Sequence, residues 1–285
     1  MTAADTLSQA NAHCAALARE HARDQWLAAL YAPPASRDGL VALAAFEVEL
    51  RSARLRARDA NLAAMRLAWR REALLGARPD EAAGDPVTRA LAATIAAFGL
   101  PHADLEAMID ARLQELAPQD DFTLHAFEHY ADESEGARLR LAARIAANGR
   151  DLDAARPGAP AGTALALTRL LLDLPAKAGA APTLFPTDVA ARHGASLADF
   201  DARRASAGVV AAVAEMRALA REKLAEAKRR LKDAPPESLP AFLPLGALRL
   251  DLDALDRIAA EPFDPPRLAS PLRRQWAIWR WARRQ

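Results

Sequence analysis

Apolar residues recur at spacings of three and four along almost the whole chain. Between residues 5 and 31, for example, Leu7, Ala10, Cys14 and Leu17 succeed one another at this spacing. Such a period is typical of amphipathic α-helices, whose apolar stripe faces a core. The period-2 alternation of a half-buried strand is not evident anywhere in the sequence. We therefore predict an all-α fold, a single-domain bundle of many helices.

Prolines, glycines and capping residues divide this pattern into segments. The predicted helices include 5–31, 40–58, 61–76, 85–99, 101–116, 121–148 and 209–234, and a short helix closes the chain. Asn61 is the expected cap of the third, and Asp85 before Pro86 is the expected start of the fourth. The Gly- and Pro-rich stretch 149–162 is predicted to be a loop. Because no repeat of fixed length is evident, we expect one helical domain over residues 1–285.

The composition argues against several classes of protein but does not indicate a function. The 38 basic and 37 acidic residues leave a net charge of +1, which gives no sign of a nucleic-acid partner. The lone cysteine, Cys14, cannot form an internal disulfide, which fits a reducing compartment, and we expect it to be a small core residue. The polar start does not resemble a signal peptide, and no apolar run reaches the roughly 20 residues of a membrane span. These features predict a cytoplasmic protein.

The sequence lacks the common short motifs of cofactor-binding, metal-binding and hydrolytic sites. The sequence contains no GxGxxG, Walker loop, HExxH, CxxC or GxSxG pattern. His125 and His129 form an i,i+4 pair that is able to bind a metal. However, no cysteine or third histidine lies nearby, and Glu128 and Tyr130 indicate a solvated face. We therefore predict no metal site there.

Four segments, taken in order, resemble the motifs of the squalene/phytoene synthase family. They are AAF at 44–46, MRLAWR at 65–70, YADESEG at 130–136 and LTRLLLDLPAKAGAAPTLFP at 167–186. In the last segment Leu167, Thr168, Asp173 and Pro186 match without a gap, and DVAARHGASLADF (188–200) resembles the family's next segment after that proline. The resemblance covers nearly the whole chain and implies an isoprenoid-synthase-like helical fold.

The same resemblance shows a degraded metal site. Family enzymes hold the diphosphates of two prenyl substrates through Mg²⁺, bound by carboxylates of two DxxxD-type motifs on facing helices. At the first motif this chain has Arg51, Ser52 and Leu55. At the second, Asp173 remains, but Lys177 stands where a carboxylate is expected one helical turn later. The resemblance therefore implies a vestigial site with no catalytic residue, and Mg²⁺ as a cofactor only if the chain is an atypical enzyme.

Other interpretations of these residues stay open. Asp173 is more simply explained as a helix cap or as a salt-bridge partner of Lys177. The arginines near Arg51 and Arg54 are usually a solvated helix flank, but with Tyr130 they are also candidate contacts for an anionic headgroup or a diphosphate. Pro175 predicts a kink, so that Asp173 and Lys177 are not one regular turn apart.

The pattern of loss resembles one branch of the family in particular. That branch includes the mitochondrial complex I assembly factor with this fold and its bacterial relatives, and it keeps a related segment where FEVEL (46–50) stands. The resemblance implies a pseudoenzyme with a protein partner in respiratory complex assembly. Two alternatives stay open: a prenyl-diphosphate condensing transferase with an atypical metal site, and a lipid or isoprenoid carrier.

The C-terminal stretch PLRRQWAIWRWARRQ (271–285) carries five arginines and no acidic residue. Leu272, Trp276 and Trp279 share one helix face. Tryptophan beside arginine suits an anionic membrane interface, but a docked helix explains the same pattern. We expect the tryptophans to pack on the domain and the arginines to stay free for the inner membrane or an acidic partner. The candidate surface residues are Trp276, Trp279, Arg273, Arg274 and Arg280.

Overall fold

The computed structural model describes residues 3–55, 59–117, 121–177 and 184–283. Within these ranges, the side chains of residues 3, 54, 55, 79, 82, 155 and 177 are not described. Every regular element in the described ranges is helical, which confirms the predicted all-α fold. No helix in this part of the chain is long and apolar enough to cross a membrane.

Sixteen α-helices succeed one another along the described chain. They are α1 (Ala3–His21), α2 (Arg23–Ala29), α3 (Pro34–Leu55), α4 (Ala60–Leu74), α5 (Pro79–Gly84), α6 (Pro86–Phe98), α7 (His102–Gln114), α8 (Leu124–Ala131), α9 (Ala137–Ala146), α10 (Ala155–Lys177), α11 (Thr187–Arg192), α12 (Leu197–Asp201), α13 (Ala207–Arg230), α14 (Leu239–Phe242), α15 (Leu245–Asp256) and α16 (Pro271–Ala282). A π-helical turn (Asp132–Gly136) joins α8 to α9, and short 3₁₀ turns lie at Leu231–Asp233 and Pro236–Ser238.

Local capping chemistry sets several of the helix starts. The side chain of Asp85 accepts a hydrogen bond from the Thr88 backbone N–H at 2.7 Å, and Pro86 lies in the first turn, as the sequence predicts. Helix α4 begins one residue earlier than predicted. Its cap is Asp59, whose Oδ1 accepts from the Leu62 N–H at 2.9 Å, and Asn61 lies inside the helix. The prediction of Asn61 as the cap is therefore wrong.

Two large apolar clusters form the core, and α10 contributes to both of them. Ala161 and Ala164 belong to the first cluster, with residues of α1, α3, α6 and α9. Leu167 and Leu171 belong to the second, with residues of α8, α11 and α13. Cys14 is fully buried in the first cluster, and this burial raises the pKa of its thiol to about 12. The prediction that Cys14 is a small core residue is confirmed.

Helix α10 is longer and more regular than its prolines suggest. It runs from Ala155 to Lys177 through Pro160 and Pro175, so the predicted loop at 149–162 ends at residue 154 and is wrong for 155–162. Pro175 does not end the helix before Lys177, and the kink expected there stays a prediction. An internal proline costs about 3 kcal/mol in a helix because it removes a hydrogen bond. The Arg156 carbonyl that Pro160 leaves unpaired accepts instead from Arg230 Nη1 at 2.7 Å. Tertiary contacts thus offset the local cost.

Two glycines bring α10 against the π-helical turn. A Cβ built on Gly162 would lie 2.7 Å from the Gly136 backbone nitrogen, a distance that real side chains do not adopt. Only glycine at position 162 permits this approach of the two backbones. The contact sets the π-turn beside α10, where it forms one side of a buried charged site.

Candidate functional site

Two carboxylates are buried between α3, α10 and the π-helical turn. Glu47 on α3 and Glu135 in the turn are each only 1% exposed. A π-helical turn inserts an extra residue into the helical path, and such turns are frequent at functional sites. Glu47 lies on α3, one of the two helices that the family resemblance assigns to metal binding, and Glu135 lies in the turn that packs against the other, α10.

Arginines from α9 and α10 bind both carboxylates. Arg138 Nε lies 2.9 Å from Glu135 Oε2 and 3.4 Å from Glu47 Oε2. Arg169 Nη2 lies 2.9 Å from Glu47 Oε1, and its Nη1 contacts Glu135. Gln25 donates to Glu47 Oε2 at 2.8 Å. Although Arg169 is close, Glu47 Oε1 accepts no well-aligned hydrogen bond from the described residues, so the contact is an ion pair only.

A third arginine extends this group toward α7. Arg112 is 7% exposed and lies 3.9 Å from Glu135. Its Nη1 donates to the Tyr130 hydroxyl at 3.0 Å and pairs with Glu115. The Tyr130 hydroxyl in turn donates to Glu115 at 2.7 Å. We call the five residues Glu47, Glu135, Arg112, Arg138 and Arg169 the buried charge network.

Glu135, Arg112 and Arg169 of this network are held in their charged forms. Burial alone would raise the pKa of Glu135, but Arg169, Arg138 and Arg112 outweigh it and hold the pKa well below its usual value. Burial likewise lowers the pKa of Arg169, but Glu135 and Glu47 raise it above its usual value. Glu135 and these guanidinium groups therefore hold one another in their charged forms and are not poised for proton transfer.

Arg51 stands beside the network without joining it. Its side chain is exposed and forms no hydrogen bond or ion pair with the residues that the structure describes. The neighbouring positive charge of Arg169, and after it desolvation, lowers the pKa of its guanidinium. Arg51 therefore adds a positive charge beside the network, and its role as an anion contact stays a prediction.

The structure describes the side chains of two other residues of the predicted vestigial site, Ser52 and Asp173. Ser52 is half-buried and donates to the Glu49 carbonyl at 3.1 Å. Asp173 is half-buried on α10. The side chains of Arg54, Leu55 and Lys177 lie outside the described residues, so a salt bridge between Asp173 and Lys177 stays a prediction.

Tyr130 differs from what the sequence indicates. It is expected beside the histidines on a solvated face, yet it is 6% exposed and its hydroxyl is bound by Arg112 and Glu115. The α8 helix turns its opposite side outward, so His125 and His129 are exposed. Because the Tyr130 hydroxyl already has partners, it acts as a support for Arg112 in this structure.

The residues between α3 and α10 do not fit Mg²⁺, the metal that the family resemblance implies. Magnesium takes near-octahedral oxygen ligands, including carboxylates that are free to bind it. Here guanidinium groups contact both Glu47 and Glu135. In the described ranges, no three His, Cys, Asp or Glu side chains come close enough together to hold a metal ion.

The family-like segment 65–70 links helices at a point outside the buried charge network. Arg70 on α4 pairs with Glu49 at 3.1 Å and with Asp85 at 2.6 Å, and it donates to Thr88 at 2.9 Å. Since Glu49 is on α3 and Asp85 caps α6, this arginine ties three helices together. It fixes α3, the helix that carries Glu47.

The terminal helix α16 docks, but through other residues than expected. Ile278 is buried, Trp281 is half-buried, and Arg274 pairs with Asp24 and Asp251. The two expected docking residues, Trp276 and Trp279, are 54% and 40% exposed. The expectation that they pack on the domain is therefore wrong, as is the expectation that Arg274 is free.

A family model for squalene/phytoene synthases matches residues 18–280, nearly the whole chain. The chain belongs to the squalene/phytoene synthase family. Among curated members, it is 25% identical over 253 residues to NADH dehydrogenase (ubiquinone) complex I, assembly factor 6 of Mus musculus, and 24% identical to the Homo sapiens protein. Both matches cover 89% of this chain and 76% of the relative.

Solved structures of the squalene/phytoene synthase family share this fold. Squalene synthase HpnC from Alicyclobacillus acidocaldarius superposes with a TM-score of 0.74 at 25% identity, over 90% of this chain and 97% of that one. A dehydrosqualene synthase in complex with ligand gives 0.78 at 17% identity, over 96% and 95%. The predicted isoprenoid-synthase-like bundle is therefore confirmed.

Proposed function

We propose that this chain assists the assembly of respiratory complex I and does not condense prenyl diphosphates. The observation that carries the proposal is the buried charge network. Between α3 and α10, the helices that carry the two degraded motifs, Glu47 and Glu135 are neutralised by Arg138 and Arg169. Curated relatives that match 89% of the chain are complex I assembly factors, which supports the first half of the proposal.

The network also supports a structural role for this region. Breaking a buried ion pair by removing one partner costs about 3–5 kcal/mol, because a charge is left without compensation. Five such charges on α3, α7, the π-turn, α9 and α10 hold the centre of the bundle in one arrangement. A protein that presents its outer surface to a partner needs a stable scaffold and no reactive centre.

The cell experiment compares strains with and without the chain. We expect a strain lacking it to accumulate less complete complex I on native gels, and the wild-type gene to restore it. The Asp173→Ala variant should restore it equally well, because the proposal gives this carboxylate no catalytic role. Normal complex I in the deletion strain would contradict the assembly role.

The transferase alternative is favoured by the 25% identity to a squalene synthase across 90% of this chain. A transferase would release pyrophosphate from farnesyl or geranylgeranyl diphosphate with Mg²⁺, and Asp173→Ala would abolish the release. A carrier would bind the same compounds without releasing pyrophosphate. The proposed function predicts neither Mg²⁺-dependent release nor a defect of Asp173→Ala.

A further inference from the structure

Exposed large apolar side chains concentrate around α16. The described chain has nine of them, and Leu268, Leu272, Trp276 and Trp279 lie on this helix or just before it. Leu30 and Tyr31 flank the helix on one side, where they line a cavity of about 180 Å³ with Gln275 and Ile278. An apolar surface of this kind on a globular protein marks an interaction site rather than a random exposure.

The helix presents two opposite faces. At about 100° per residue, Arg274, Ile278 and Trp281 point to one side, and they are the residues that dock on the domain. Leu272, Trp276 and Trp279 point to the other side. Because docking is complete without these three residues, their exposure leaves the outer face of α16 without a partner in the described chain.

Positive charge accompanies the exposed tryptophans. The Arg280 guanidinium lies 4.5 Å from the Trp276 ring centroid, and that of Arg283 lies 5.0 Å from the Trp279 ring centroid. Arg273 is exposed beside them. The helix itself, Pro271–Ala282, contains no acidic residue.

A groove next to the helix carries the same charge. It has a volume of about 260 Å³ and lies between α13, α15 and α16. Its charged lining residues are Lys228, Arg249, Arg273 and Arg280 against the single acid Asp253. Arg249 lies 3.7 Å from this aspartate, so the remaining cations of the groove are not compensated by it.

We propose that the outer face of α16, with Trp276 and Trp279 between arginines, is a docking surface for an anionic lipid bilayer. At a bilayer surface, tryptophan rings and arginines lie together at the level of the headgroups. Tryptophan and arginine are also enriched at protein interfaces. The choice of a bilayer therefore rests on the excess of cations on α16 and in its groove, which complements an anionic surface. Here each tryptophan has an arginine stacked on its own ring, which matches the bilayer arrangement.

The experiment measures sedimentation of the full chain with vesicles. We use phosphatidylcholine alone and phosphatidylcholine with about one-third phosphatidylglycerol, the anionic lipid. We expect binding only to the anionic vesicles, and loss of binding at about 1 M salt, where charges are screened over about 3 Å. Equal binding to neutral vesicles, or no binding to either, would overturn the proposal; in the second case an acidic protein is the better partner.

Variants separate this surface from the rest of the protein. Each arginine near an anionic surface adds roughly a fivefold factor in affinity, so Arg273→Gln/Arg280→Gln/Arg283→Gln should weaken binding on the order of a hundredfold. Trp276→Ser/Trp279→Ser should also weaken it, with an unchanged melting temperature because both side chains are exposed. The matched control is Met65→Ser/Arg66→Gln on α4, also an exposed apolar–basic pair. An equal loss of binding in the control would refute the assignment to α16.

Discussion

Replacing Glu135 with glutamine is the sharpest test of the buried charge network. The substitution keeps the shape of the side chain and removes its charge. Arg138 Nε and Arg169 Nη1 then face a neutral amide, whose NH₂ group is itself a donor. Because Glu135 is 1% exposed, water does not replace the lost carboxylate oxygen. We expect a loss of stability of about 3–5 kcal/mol, the usual cost of breaking a buried ion pair.

The expected change in melting temperature is set by chain length. The unfolding entropy is about 2 cal/mol/K per residue, so this loss lowers the Tm of a chain of 285 residues by about 5–8 °C. Differential scanning calorimetry of the purified chain measures it. The matched control is Glu237→Gln, which breaks the exposed ion pair with Arg150 and should leave Tm within error. Equal shifts for the two variants would refute the claim that burial makes the network important.

The pH dependence gives an independent check. The pKa of Glu135 is lowered in the folded protein. Its contribution to the free energy of unfolding is therefore fully present at pH values above the unfolded-state pKa of about 4.3. It is lost as the pH falls from there through the folded-state pKa. The difference in Tm between wild type and Glu135→Gln should therefore be full at neutral pH and shrink below about pH 4.3. A difference that grows on acidification would contradict the network.

The packing supports three further predictions. Gly162→Ala should cost about 1–3 kcal/mol in urea unfolding, because its Cβ meets the Gly136 backbone at 2.7 Å, whereas Gly84→Ala, with open space around it, should not destabilise. Cys14 should not react with a thiol reagent at pH 8 until the protein unfolds, since burial raises its pKa to about 12; rapid labelling of the native chain would contradict this. Arg274→Gln should cost about 3 kcal/mol on unfolding by leaving the buried Asp251 and the half-buried Asp24 unpaired, and an unchanged midpoint would show that α16 docks through its apolar contacts alone.

Features that depend on neighbouring residues were predictable from the sequence. The start of α6 at Pro86 and its left-handed end at Gly99 are set by caps within a few residues. The opposite case is α10, where Pro160 and Pro175 indicated breaks. Whether a helix survives a proline depends on distant partners, here Arg230 for one carbonyl, and such partners are not visible in a local pattern.

The ion pairs between α3 and α10 could not be predicted from the sequence. The family motifs pointed to α3 and α10, and Arg51 and Asp173 do lie there. The ion pairs join Glu47 to residues 91 and 122 positions away in sequence, Arg138 and Arg169, so no spacing rule reveals them. One signal was present: Glu47 interrupts the apolar run LVALAAFEVEL, and a charge in such a run must find a partner when buried.

For the terminal helix, too, the sequence predicts the local pattern but not the tertiary contacts. Its periodicity correctly placed Leu272, Trp276 and Trp279 on one face. Which face turns inward was decided by residues elsewhere, because Asp24 of α2 and Asp251 of α15 bind Arg274 and draw the opposite face against the domain. The sequence therefore predicts the two faces of α16, but not which of them packs against the domain.

Both metal-binding motifs of the family are degraded in this chain, and a buried charge network joins α3 to α10, the helices that carry them. The most direct measurement is pyrophosphate release from farnesyl and geranylgeranyl diphosphate by the purified chain, with and without Mg²⁺, beside the Asp173→Ala variant. We expect background release in every case, with no effect of Mg²⁺ or of the substitution. Mg²⁺-dependent release by the wild-type chain that disappears in Asp173→Ala would contradict it.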